Sequence, residues 1–205
     1  MKKLALIATI LSTSLCSNVY ANPSIDDVQS ELDIKALPVE EGGMCVFITN
    51  TSDTVIHDLD VQINYKDDSG NIIDLEEDGH DMLVKGNTVV SLLDSPDTYS
   101  DYEITTEIEL DEYTSYENHV DELAVKSNQG DDCVILEITN NSDVTVEEIE
   151  YIVVFYNGDN IIDVSHATDI YDVEPGKKVI EKVSSLGITY DKFEVYINQA
   201  HTFGL

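Results

Sequence analysis

Two thiols are the most reactive groups the sequence offers once its first 21 residues are set aside: Cys45 and Cys133, 88 positions apart (133 minus 45). In an oxidising compartment two cysteines most simply pair with each other, and a Cys45–Cys133 disulfide is the expectation; an intermolecular pair and free thiols are the other outcomes. Such a bridge is worth on the order of 4 kcal/mol if it acts by restricting the unfolded chain. Five histidines follow, His57, His80, His119, His166 and His201. None is spaced with another as a metal pair, and no HExxH occurs. The acidic run Glu76 to Asp81 reads as a solvated loop between strands, and Asp67-Asp68-Ser69-Gly70-Asn71 as a turn, since neither has the spacing of a calcium loop. Serines are frequent, but there is no GxSxG elbow, and neither cysteine sits in a nucleophile signature. With 42 acidic residues, accidental carboxylate pairs are guaranteed and name no glycosidase. The expectation is a protein without catalytic residues, metal or cofactor.

The elements that must hold these groups begin at residue 22. Residues 1–21, MKKLALIATILSTSLCSNVYA, have a lysine head, a short apolar run and a small-residue cleavage box, which is a secretory signal peptide. Acylation at Cys16 is disfavoured by the bulky Leu15 before it. No later run approaches the roughly 18 apolar residues of a membrane span. The chain is expected to be periplasmic or secreted.

Lys plus Arg number 10 against 42 acids, a net charge of minus 32, and none of the ten is arginine. That field repels phosphate backbones and anionic lipid, so nucleic-acid and membrane partners are excluded and a protein partner, a basic one among the candidates, is favoured. At 42% apolar, with regular alternation, the chain is expected to fold.

Its plan is a duplication. ITNTSD from Ile48 returns as ITNNSD from Ile138, and NIID at Asn71 to Asp74 returns at Asn160 to Asp163. Leu59, Val61, Ile63 and Tyr65 alternate with polar residues, and Ile149, Tyr151, Val153 and Phe155 occupy the same places. Asp68-Ser69-Gly70 and Asn157-Gly158 are hairpin turns, and Lys85-Gly86-Asn87 and Pro175-Gly176-Lys177 are the next matched turns. Asn50-Thr51-Ser52 and Asn140-Asn141-Ser142 fit the glycosylation pattern but read as Asx-type turns. The expected organisation is a signal peptide at 1–21, a leader at 22–30 with room for one helical turn capped by Ser24, one repeat at 31–110, a linker at 111–121 and a second repeat at 122–205. An all-β fold of two tandem immunoglobulin-like antiparallel sandwiches follows. One continuous sandwich made from both copies is the alternative.

Two consequences concern sites. If Ile48 and Ile138 face the cores, Cys45 and Cys133 have the opposite parity and point outward. Further, Ile152, Val154 and Tyr156 stand where the first copy has Gln62, Asn64 and Lys66. A strand that loses its polar side is covered by something, so these three are the candidate interface, against the other copy or a second subunit; a ligand groove is the other reading.

Val153-Val154-Phe155-Tyr156-Asn157-Gly158, followed by a return strand and a Pro-Gly turn, resembles the FxLYD-type domains of bacterial secreted proteins. The first copy departs from that pattern at Lys66, where tyrosine is usual, and at Lys85-Gly86, which lacks the proline. The resemblance implies an extracytoplasmic β-sandwich with no catalytic residue to carry over. The expected function is therefore an exported, non-enzymatic binding or adaptor protein, the alternative being an acidic inhibitor or immunity-type protein that neutralises a basic toxin or enzyme.

Overall fold

The alternation of apolar and polar residues becomes strand after strand. The computed structural model describes residues 23–40, 42–110, 116–165, 168–185 and 187–203; the expected signal peptide at 1–21 and residues 111–115 of the expected linker lie outside them. A short helix, α1 (Ile25–Gln29), precedes β1 (Leu32–Pro38), β2 (Met44–Asn50), β3 (Ile56–Lys66), β4 (Ile72–Leu83), β5 (Thr88–Leu93) and β6 (Asp101–Glu109). Then come β7 (Tyr116–Asn118), a 3-10 turn (Val120–Glu122), β8 (Leu123–Gly130), β9 (Cys133–Asn140), β10 (Val146–Asn157), β11 (Asn160–Val164), β12 (Thr168–Val173), β13 (Lys178–Ser184) and β14 (Lys192–Phe203).

These strands form four antiparallel sheets, ordered β4-β3-β6, β1-β2-β5, β11-β10-β14-β7 with β12 also on β10, and β13-β9-β8. Each copy encloses an apolar core between two of them. In the first, Met44, Val46 and Ile48 of β2 meet Leu59, Val61, Ile63 and Tyr65 of β3. In the second, Val134, Leu136 and Ile138 of β9 meet Ile149, Tyr151, Val153 and Phe155 of β10. A third apolar layer joins the copies: Val39, Cys45, Phe47 and Val90 lie against Ile152, Val154, Tyr156, Ile161 and Val164. The molecule is thus a stack of four sheets with apolar layers between successive members, and its two outermost faces belong to β4-β3-β6 and β13-β9-β8.

The duplicated motif sets the corner of each copy. Asn50 is fully buried; its Nδ2 donates to the carbonyls of Thr54 (2.8 Å) and Leu83 (2.9 Å), and its Oδ1 accepts from Ser52 N (3.0 Å) and Ser52 Oγ (2.7 Å). Asn140 repeats this with Val144 O (2.8 Å), Val173 O (2.7 Å), Ser142 N (2.8 Å) and Ser142 Oγ (2.7 Å). One amide therefore holds the end of a strand in one sheet to the end of a strand in the facing sheet. The turn glycines complete it: Gly86 (φ 77) and Gly176 (φ 70) donate to Asn50 O and Asn140 O at 2.7 and 2.8 Å, from a left-handed backbone that suits glycine. The Asx-turn reading describes both motifs, in which Asn50, Ser52, Asn140 and Ser142 are buried while Thr51 and Asn141 are exposed.

Two segments differ from the sequence expectation. Glu76 to Asp81 lies within β4 and not in a loop, because β4 is a sheet edge whose side chains reach water past the rim. The latter part of the expected linker forms β7, which pairs with β14 from Tyr116↔Phe203 to Asn118↔His201; β14 runs to Phe203 and leaves an edge to be covered. The leader agrees with its expectation: its helical turn is α1, capped by Ser24, whose hydroxyl accepts from Asp27 N (3.2 Å), and it buries Val28 in the first core.

Candidate functional site

Cys45 and Cys133 both face away from their own cores, Cys45 into the layer between the copies and Cys133 onto the outermost face of β13-β9-β8. They are free thiols, and the expected bridge is absent. The reason is the stacking order. Two sheet spacings separate their strands, roughly 20 Å, whereas a disulfide requires Cα atoms within about 7 Å. Burial pushes the Cys45 thiol up to about 12, so it packs as a small apolar group.

Ile152, Val154 and Tyr156 are buried by the outer face of β1-β2-β5. Phe47 meets Tyr196 edge-on with centroids 5.4 Å apart, and the hydroxyls of Tyr156 (2.9 Å) and Tyr196 (2.7 Å) both donate to Glu194 Oε2. Burial alone would raise Glu194, but hydrogen bonds from Lys192 and the two tyrosines hold it below the usual range. At the rim of this layer Asn198 clips the open edge of β5. Its Oδ1 accepts from Val90 N (2.9 Å), while its Nδ2 donates to Val90 O (3.0 Å) and Glu150 Oε1 (2.8 Å). The three residues are accounted for by the contact between the copies.

Two acid–histidine–hydroxyl sets occur among the described residues: His119 lies between Glu122 (2.6 Å from Nδ1) and Thr202 (3.2 Å from Nε2), and His80 gathers an aspartate and a serine. His80 Nε2 lies 2.7 Å from Ser91 Oγ, and Asp78 Oδ2 lies 3.7 Å from that same nitrogen. A relay needs the carboxylate on the opposite ring nitrogen and a reachable hydroxyl. At His80 acid and serine share one nitrogen and Ser91 is fully buried. The pair ties β4 to β5 across the sandwich edge, and burial, outweighing Asp78 and Asp81, holds His80 below its ordinary pKa.

The remaining concentration of functional groups is the outer face of β4-β3-β6. Pairing registers place Asp58 between Asp81 and Glu109, Asp60 between Gly79 and Glu107, and Gln62 between Glu77 and Thr105. Lys66 stands at the far end of β3, 2.6 Å from Glu103. Gly79 leaves space in the middle row: a trough of about 380 Å³ runs over it, walled by Asp60, Gln62, Glu77, Thr105 and Glu107. Partial burial, with Asp60, Asp81 and Glu109 adding like charge, raises the Asp58 carboxyl above its ordinary value. Such a face concentrates cations and cationic groups. Among the described residues, no three His, Cys, Asp or Glu side chains converge as a metal cage.

No protein-family model, curated protein or solved structure matches the chain. The acidic face is only half legible in the sequence. Asp58 and Asp60 alternate along one strand, but their neighbours come from residues 77–81 and 105–109, and only the pairing register joins them. The contact of His80 with Ser91 leaves no signal at all, because it crosses from one sheet to the other.

Proposed function

We propose that the chain is an exported, non-enzymatic binding or adaptor protein of two immunoglobulin-like sandwiches of the FxLYD kind, working in the periplasm or outside the cell. Two enclosed cores and the matched asparagine corners support the two-sandwich reading, with repeats at 31–110 and 122–205, and the character of residues 1–21 supports export. The observation that carries the binding role is the outer face of β4-β3-β6. There Asp58, Asp60, Glu77, Asp81, Glu107 and Glu109 lie on three adjacent rows, and the lysine of that face is already paired. A cationic protein surface is the complement of this face, and its approach offsets the like charge that Asp60, Asp81 and Glu109 add to the effect of burial at Asp58. The same observation favours the narrower reading of an acidic inhibitor that neutralises a basic toxin or enzyme.

Calorimetric titration with an octalysine peptide at low and high salt tests the site. Binding that is stronger at low salt, lost in D60K/E107K and kept in D121K/D159K, which changes the charge equally on exposed sites elsewhere, is the expected result. Equal loss in both variants, or none in D60K/E107K, overturns it.

A further inference from the structure

The contact between the copies is made by two faces of different kinds. The second copy offers the outer face of β11-β10-β14, and the first copy offers the outer face of β1-β2-β5. Each copy has both faces, so one face of each kind is left at the ends of the stack: β4-β3-β6 of the first copy and β13-β9-β8 of the second. The free pair is therefore structurally equivalent to the pair already joined.

The free face of β13-β9-β8 carries Lys126 from β8, Ile135 and Glu137 from β9, and Lys178, Ile180 and Lys182 from β13. After residue 21 the chain has eight lysines, and three of them stand here. In the joined first copy the equivalent positions of Glu137, Ile180 and Lys182 are Phe47, Val90 and Leu92, all in the apolar layer. The other kind of face has changed in the same way, with Gln62, Asn64 and Lys66 where the joined copy has Ile152, Val154 and Tyr156. Making both ends polar keeps a stack soluble. That requirement says nothing about sign, yet one end is strongly acidic and the other lysine-rich in a chain of charge minus 32. Each end also keeps apolar surface: Ile72 and Leu75 beside the acids are 58% and 45% exposed, and Ile180 among the lysines is 60% exposed.

We propose that the occupant of the acidic face is a second copy of this chain: the lysine face of β13-β9-β8 in one molecule docks on the outer face of β4-β3-β6 in the next. It does so in the arrangement that already joins the two copies within a chain. The inference rests on the reading of β4-β3-β6 as a binding face and names its partner. In this docking Glu107, paired with Asp60 as Gln199 is paired with Glu150, lies level with the β14 bulge from which Asn198 binds Val90, and it meets the β13 edge at Ile180, the counterpart of Val90. The contact is heterologous, and because its two faces lie at opposite ends of the stack each partner keeps a free end and further molecules add in a line. Long-range repulsion between such acidic molecules opposes it. At about 0.15 M salt, however, the screening length of about 8 Å confines that repulsion and lets the facing charges decide.

Sedimentation velocity of the mature chain at that salt tests the proposal. The wild type is expected to form species beyond the dimer as its concentration rises. K126E/K182E and D60K/E107K, each checked for unchanged melting, are each expected to weaken association roughly tenfold or more. An equimolar mixture of the two variants restores complementary faces and is expected to assemble again. A wild type that stays monomeric at every concentration overturns the proposal, as does a mixture that stays apart. K126E/K182E also separates the inference from the reading beneath it. If this variant binds octalysine while wild type fails to assemble, self-docking is wrong and the acidic binding face stands; if octalysine does not bind, the face itself is wrong.

Discussion

Asn140 and Asn50 show how much a single side chain carries here. Each satisfies two backbone carbonyls and a neighbouring N–H at a buried corner, and removing the amide leaves those groups without partners. Asn140→Ala is expected to cost about 2–4 kcal/mol in urea unfolding, the range for stranding more than one buried polar group; a loss under about 0.5 kcal/mol would contradict the corner's role. The thiols give a second expectation at this scale. With Cys45 buried and its pKa pushed up to about 12, and Cys133 half-exposed, a thiol-specific reagent should label Cys133 alone in the native protein and both after unfolding. Rapid labelling of Cys45 in the folded chain would count against the layer between the copies. His80 adds a pH dependence whose sign follows from burial. Its folded pKa lies below the unfolded one, so as pH falls the unfolded chain takes up this proton first. Stability is complete above the ordinary histidine value of about 6.5 and declines as pH drops below it. Asp58 has its pKa raised and works the other way, gaining stability as it protonates. Comparing urea unfolding of wild type and His80→Gln at about pH 7.5 and 5.5 isolates the histidine, at no more than about 1.4 kcal/mol per pH unit. Identical pH slopes in the two proteins would rule out the assignment.

At the scale of elements, the duplication makes each strand of one copy a control for the other. β3 and β10 share an inner face of large apolar residues, and their outer faces differ because one is covered and the other is not. Ile152→Lys puts an unpaired charge into a closed apolar layer and is expected to cost upwards of about 3 kcal/mol. Gln62→Lys, at the matching position beside Glu77, should stay within about 0.5 kcal/mol. Urea unfolding of the two variants measures both, and equal costs would mean that the layer is not closed in solution. This contrast also marks what the sequence could and could not say. Alternation located β3, β10 and their partners, and the loss of polar residues at 152, 154 and 156 showed that something covers that face. It did not show β4 continuing through Glu76 to Asp81, because an edge strand needs no apolar side beyond the sandwich rim. Nor did it show β7, whose three residues are a strand only because β14 offers an edge. The cysteine pairing failed for a related reason: parity along a strand gives the direction of a side chain, and only the order of the sheets gives its distance.

The whole molecule is dominated by its charge. Among the described residues five lysines find carboxylate partners, Lys66, Lys85, Lys177, Lys178 and Lys192, and these pairs take up five acids in a chain that has 42. Exposed pairs of this kind are screened by solvent and contribute too little to offset the repulsion of so many like charges packed into one folded chain. Screening acts mainly on the folded state, where the acids are closest, so salt should stabilise it. Going from about 0.01 to 0.15 M NaCl shortens the screening length from roughly 30 to 8 Å. A gain of about 2 kcal/mol would then raise the melting temperature by roughly 4–8 °C in a chain of this size. The measurement belongs on K126E/K182E, because assembly of the wild type would add its own concentration-dependent stabilisation. Scanning calorimetry at matched ionic strength in NaCl and CaCl2 then separates two origins of the effect. Equal rises in both salts fit diffuse self-repulsion; a larger rise in CaCl2 means that the acids hold divalent ions at defined places; a melting temperature that does not move with NaCl would show that the acids are too far apart to destabilise the fold.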